Sequence, residues 1–310
     1  MIVGIFSGQG AQYEDMGRSL TQSAPAAAEL YELCSTALGF DLLSLTADQL
    51  KETRYSQPAT TVLSLAAYRA FVQAAGTTLE PQALAGFSLG EYAMLGAAGI
   101  LDLKQLMDLL EHRSIYMQAA CQEQPGAMYA VLGLDDETVA AVCAAQQPQG
   151  AVLPANYNCP GQLVISGSAE PAAKAAAALK EQGARRVIQL KVAGAFHTPL
   201  MAAAGASLRT YAAGLTFRPE AAAGRLLFSN IDGQPLRTDN LPAYLEAHMV
   251  SPVRWTDEVR SLIAAGATTF IEFGPGKTLC GLVRKIDRSC TVLNIEDADS
   301  LEATLKALDA

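Results

Sequence analysis

Charge is sparse in this chain and histidine is sparser. Of 310 residues, 17% are charged, and there are three histidines, one tryptophan and six cysteines. No apolar run approaches the roughly 18 residues of a membrane span, which sets a transmembrane protein aside. The opening MIVGIFSGQG has a short apolar run with no basic lead, so it reads as a buried first strand, not a signal peptide. The cysteines, at 34, 121, 143, 159, 280 and 290, form no CxxC pair. Neither a metal site nor a disulfide framework is therefore expected, and the cytoplasm is the expected setting. The net charge of −9 argues against nucleic acid as a partner.

What is present is apolar. Half the residues are hydrophobic, enough for one large domain, or for a large domain carrying a small one. The charge is uneven: residues 1–150 hold 6 basic and 16 acidic side chains, net −10, whereas residues 151–310 hold 16 and 15, net +1. The second half is the better host for an acidic partner or a phosphate-bearing ligand.

The chain is organised around Leu84–Gly99, and above all around Gly86-Phe87-Ser88-Leu89-Gly90. An apolar, small-residue approach runs into Gly-x-Ser-x-Gly, and a helix-compatible stretch follows. That is the pattern of a nucleophile elbow, a sharp strand-to-helix turn with serine at its tip. The glycines leave room where side chains would collide, and the helix aims its N-terminal amides at the reacting centre. The Leu89 amide is then placed to donate to an oxyanion. A second donor is available from the Gln9 amide, in the Gly8-Gln9-Gly10 loop that follows the apolar run Ile2–Phe6.

Elsewhere the pattern predicts helices over 24–39, 57–75 (starting near Pro58) and 103–121. The last carries His112, Arg113 and Met117; Arg113 and Met117 are four apart and share a face. Arginine among Leu106, Leu109 and Leu110 is costly to bury unless it meets an anion; the alternative is an exposed surface pair. From residue 125 to 192 the order is strand, helix, strand, strand, helix, strand, which is the ferredoxin-like pattern. The expected fold is therefore α/β, with this small domain (125–192) inserted in a discontinuous large one with a parallel sheet (1–124 and 193–310).

A serine nucleophile needs a base, usually histidine. His112 has a cation beside it in sequence, and His248 ends a predicted helix, a plausible cap. His197 sits where the chain leaves the small domain, and loops between domains are where clefts form. By elimination His197 is the best base. No Asp or Glu is marked as a third member, which leaves room for a dyad whose histidine is oriented by a backbone carbonyl.

Taken together, FSGQGAQ (6–12), SQPA (56–59), GFSLGEYA (86–93), HRSIYMQ (112–118), NYNCPGQ (156–162), GAFHTPLM (194–201), SPVRW (251–255) and EFGPGKTL (272–279) resemble the malonyl-CoA:acyl carrier protein transacylases. These are the acyltransferases of bacterial fatty acid synthesis, with polyketide synthase relatives, and the likeness runs nearly end to end. It implies an α/β-hydrolase-like core with a ferredoxin-like insert. It implies Ser88 as the acylated nucleophile, His197 as its base, and the Gln9 and Leu89 amides as the oxyanion hole. Arg113 would bind the free malonyl carboxylate, with Met117 on the same face, and the His248 carbonyl would hold the catalytic histidine. Phe196 resembles the malonyl-selecting form of its motif, and Asn158 would meet the pantetheine arm. No cofactor is implied; the substrates would be malonyl-CoA and an acidic, phosphopantetheinylated carrier protein, and a monomer is expected. One departure stands out: the family usually has histidine where this chain has Phe87. The rival functions are a carrier-directed thioesterase of the same fold and an idle docking module.

Overall fold

A computed structural model describes residues 1–192 and 194–309. Residue 193, where the expected large domain resumes, and residue 310 lie outside the described residues. The chain runs β1 (Ile2–Phe6), α1 (Arg18–Ser23), α2 (Pro25–Leu38), α3 (Thr53–Ala75), β2 (Ala83–Gly86), α4 (Gly90–Ala97) and α5 (Leu103–Glu123). It continues through β3 (Gly126–Leu132), α6 (Asp136–Gln146), β4 (Val152–Cys159), β5 (Gln162–Ser168), α7 (Ala169–Glu181) and β6 (Arg186–Gln189). After α8 (Ala202–Ala212) come β7 (Leu226–Leu227), α9 (Leu241–Val250), α10 (Trp255–Ala264), β8 (Thr269–Phe273), α11 (Thr278–Ile286), β9 (Thr291–Ile295) and α12 (Ala298–Leu308).

The architecture is α/β, with one parallel sheet and one separate antiparallel sheet. The parallel sheet has the order β7-β2-β1-β8-β9. Alternation along β1 sorts its two faces: Val3 and Ile5 join the core under α10 and α11, while Phe6 joins the larger core under α2, α3, α4 and α5. Both faces are covered, as a parallel sheet requires. Phe6 of β1 pairs with Gly86 of β2, so the loops leaving these two strands emerge side by side. Ligand crevices in such sheets lie beyond the strands' carboxyl ends. A Cβ on Gly8 would stand 2.8 Å from the Phe87 carbonyl oxygen, so the Gln9 loop lies against the elbow.

The antiparallel sheet has the order β4-β5-β3-β6. Helices α6 and α7 cover one face through Val139, Cys143, Ala175 and Leu179. The other face, with Met128, Ala155 and Val164, packs on Phe196. The expected βαββαβ order is present.

Two details differ from the sequence expectation. Helix α3 begins at Thr53, before Pro58, because the Glu52 carbonyl accepts from the Tyr55 and Ser56 amides at 3.1 and 2.9 Å. Strand β7 stops at Leu227, since Ser229 and Asn230 turn into a buried polar network. The unit α11–β9–α12 had not been anticipated. Its signals are local: Leu279, Leu282 and Val283 bury one face of α11, and Asp297 with Ser300 forms a capping box at α12.

Candidate active site

The elbow forms because two glycines permit it. A Cβ on Gly86 would collide with the Gly90 backbone, and one on Gly90 with the Phe6 carbonyl. Between them Ser88 is held at φ +51°, in the left-handed region that non-glycine residues avoid. Its amide donates to Asn230 Oδ1 at 2.6 Å. The Leu89 and Gln9 amides, by contrast, have no hydrogen-bond partner among the described residues. One free donor thus follows the serine and another lies in the loop against the elbow, while the serine's own N–H is taken.

Ser88 Oγ lies 2.7 Å from His197 Nε2. His197 also has a positive φ, +60°, and is 6% exposed. Its Nδ1 donates to the Ser251 carbonyl at 3.0 Å, fixing the tautomer that leaves Nε2 free to accept from the serine. The orienting carbonyl is therefore chiefly that of Ser251, three residues beyond the expected His248; the His248 carbonyl adds a weaker pull in the same direction. The shift has a simple cause: α9 ends at Val250, so its last carbonyls still point along the helix, and the first extended residue offers the turned one. The His248 ring is buried between Tyr244, Tyr92 and His197. Its Nε2 stands 3.3 Å from Glu91 Oε2 without hydrogen-bond alignment. Burial, with the charge of Arg113 second, lowers His197 from 6.5 to about 4, so its ring is neutral at neutral pH.

Arg113 is 3% exposed, on the inner face of α5. Its guanidinium carbon stacks 4.9 Å from the centre of the Tyr92 ring, and its Nε has no partner. Among the described residues it forms no salt bridge. A buried guanidinium without a carboxylate is costly, and its burial sets the surface-pair alternative aside. Glu91, next to Tyr92 on α4, is buried too, but accepts instead from the Asn230 amide at 2.6 Å and from Tyr244 Oη at 2.8 Å. Burial raises Glu91 to about 8.

The remaining expected residues divide. Met117 lies buried on the Arg113 face, its sulfur 3.5 Å from Gln57 Nε2. Phe196 sits between the larger core and the antiparallel sheet, directly before His197. Asn158, near the end of β4, is buried with Oδ1 unpartnered, and no hydrogen bond among the described residues joins it to Ser88 or His197. Phe87 packs edge-on against Trp255 at 5.6 Å, in the apolar core below the elbow. The sequence reading missed Ser251, Asn230, Glu91, Tyr92 and Glu258. Ser251, Glu91 and Tyr92 lie within motifs already noted, but nothing local marked their parts.

The acyl transferase domain family matches residues 3–304. The malonyl CoA-acyl carrier protein transacylase of Escherichia coli (strain K12) is 36% identical over 307 residues, covering 97% of this chain and 98% of its own. A solved MCAT from Streptococcus pneumoniae superposes with a TM-score of 0.92 at 37% identity, covering 99% of this chain and 100% of the other. A malonyl-transacylase solved in complex with its type II PKS acyl-carrier protein superposes at 0.93, with 32% identity and 99% coverage of each chain.

The depressed basicity of His197 has a measurable consequence. Only the neutral ring can accept the serine proton, so Ser88 should react with a small sulfonyl fluoride at a constant rate from pH 8 down to about 5 and lose reactivity near 4. A midpoint near the ordinary histidine value of about 6.5 would contradict the buried, Arg113-coupled setting.

Proposed function

Because the chain belongs to the acyl transferase domain family, among the malonyl-CoA:acyl carrier protein transacylases, we propose that Ser88, His197 and Arg113 carry its chemistry. The protein transfers the malonyl group of malonyl-CoA to the phosphopantetheine thiol of acyl carrier protein, through a malonyl-serine. Ser88 Oγ attacks the thioester carbonyl as its proton passes to His197 Nε2. The Leu89 and Gln9 amides receive the oxyanion. The tetrahedral intermediate collapses, the C–S bond breaks, and His197 returns the proton to the CoA sulfur. The carrier's thiol then attacks the malonyl-serine by the same steps in reverse, His197 taking the thiol proton and handing it to Ser88 Oγ. Every proton in this route has a carrier on the chain, so no metal or redox cofactor is required. Residues 125–192 are read as a ferredoxin-like insert in an α/β-hydrolase-like domain, with strand order and connectivity in support, and the cytoplasm as the setting.

The observation that carries the malonyl assignment is Arg113, buried with no carboxylate partner among the described residues. A guanidinium matches a carboxylate with two parallel donors. Pairing with malonyl would also remove one of the causes that lower His197, making the base stronger when the right substrate is bound. Met117 and Phe196 would then bound the acyl pocket, and Asn158 the pantetheine arm. A thioesterase for neutral acyl groups gains nothing from such a clamp, and an idle docking module needs no Ser88–His197 pair.

The recess bordered by Pro160, Arg284, Lys285 and Arg288, about 460 Å³, is proposed as part of the carrier-docking face. Lys285 Nζ donates to Gln162 Oε1 at 3.0 Å, and Gly133, beside Arg185, bonds to Gly161, so the basic side chains of both units are brought close together. Reversing the charge of Arg284 and Lys285 should raise KM for carrier protein and leave acylation by malonyl-CoA unchanged. Equal damage to both half-reactions would show a structural patch instead.

Losing one partner of a shielded charge pair costs roughly 2–5 kcal/mol, or about 30- to 5,000-fold in rate. Arg113→Ala should therefore lower the malonyl-to-acetyl ratio of kcat/KM by that factor, and Arg113→Lys should recover little of it. An unchanged ratio would leave Arg113 a structural cation and remove the main physical support for malonyl.

A further inference from the structure

Asn230, fully buried just beyond β7, belongs to none of the motifs that carry the family likeness. Its side chain spans the elbow. Oδ1 accepts from the Ser88 amide at 2.6 Å, and Nδ2 donates to the Gly86 carbonyl and to Glu258 Oε2, each at 2.7 Å. Its own amide donates to Glu91 Oε1 at 2.6 Å, and its carbonyl accepts from the Arg254 amide at 2.8 Å. Every polar group of the residue is used. A carboxamide on this short stem is the side chain that presents an acceptor to one backbone group and a donor to another; aspartate lacks the donor, leucine lacks both, and glutamine is a methylene too long.

We propose that Asn230 is a positioning residue for Ser88, acting through the Ser88 amide and the Gly86 carbonyl that precedes it; this rests on Ser88 being the nucleophile. Two effects follow from the geometry. Asn230 holds Ser88 in its left-handed conformation, against the preference of a non-glycine residue. It also occupies the Ser88 amide, so the elbow offers the oxyanion the Leu89 amide and not a misplaced neighbour. The support extends to the base. In the segment 251–254, the Ser251 carbonyl holds His197, Val253 exchanges hydrogen bonds with β4 through Ala155 and Tyr157, and the Arg254 amide holds the Asn230 carbonyl. Both members of the Ser88–His197 pair therefore depend on one short strap, itself anchored to the antiparallel sheet.

The test separates positioning from folding and from malonyl binding. Phenylmethanesulfonyl fluoride has no carboxylate and does not engage Arg113; Ser88 Oγ displaces its fluoride while His197 takes the proton. For Asn230→Ala, the second-order rate constant of sulfonylation and the rate constant of malonylation should fall together, by roughly 100-fold, the cost of a small misplacement. KM for malonyl-CoA should be unchanged, and labelling should still run to completion. Asn230→Asp, nearly isosteric, should show the same pattern with a smaller loss, and serves where the alanine variant does not fold. Unchanged rate constants with incomplete labelling would make Asn230 merely structural and overturn the inference. So would a fall in malonylation with sulfonylation intact. If the wild-type chain itself is not sulfonylated at Ser88, the nucleophile assignment fails first, and the inference with it.

Discussion

The depth at which Arg113 is held, 3% exposed and without a carboxylate partner among the described residues, is the constraint on which the rest of the site depends. A guanidinium cannot shed its charge as a buried lysine or histidine can, so the surroundings must adapt to it. Tyr92 offers the face of its ring, His197 is made a weaker base, and Glu91 is spent on Asn230 and Tyr244 instead of neutralising the cation. The site is thus incomplete until an anion arrives. In the proposed reading, that incompleteness lets a carboxylate-bearing acyl group be told from a neutral one.

The fold makes this arrangement possible through two neighbouring strand ends. Parallel pairing of β1 with β2 sets the Gln9 loop beside the elbow, and α4, leaving the elbow, carries Glu91 and Tyr92 inward. Helix α5 brings Arg113 from the far side. The antiparallel sheet contributes through β4 and the 251–254 strap, which ties the orientation of His197 to its own position. Of the three non-glycine residues with left-handed φ among the described residues, two, Ser88 and His197, are the proposed reacting pair, so backbone strain gathers at the site.

Much of this was legible in the sequence where the signal is local. The elbow declares itself through the space its glycines leave, β1 through an apolar run, and the antiparallel sheet with its helices through the βαββαβ order. Arg113 was legible as a choice between an exposed pair and a buried cation, and only packing decided that it is buried. Asn230, Ser251 and Glu258 were not legible, because each acts through a contact with residues far away in the chain. Asn230 lies 142 residues from Ser88, and Ser251 lies 54 from His197, and neither residue type is unusual in itself. The added Ser251 carbonyl has the same origin: which carbonyl lies nearest the ring depends on where α9 stops, a boundary the sequence marks only loosely.

The central claim is that Ser88 accepts malonyl in preference to a neutral acyl group, and one competition addresses it. The wild-type protein is exposed briefly to equimolar malonyl-CoA and acetyl-CoA, digested, and its peptides weighed. The account requires a malonyl adduct on the peptide bearing Ser88, in large excess over acetyl. Comparable amounts of the two adducts, or a malonyl group attached elsewhere, would contradict it.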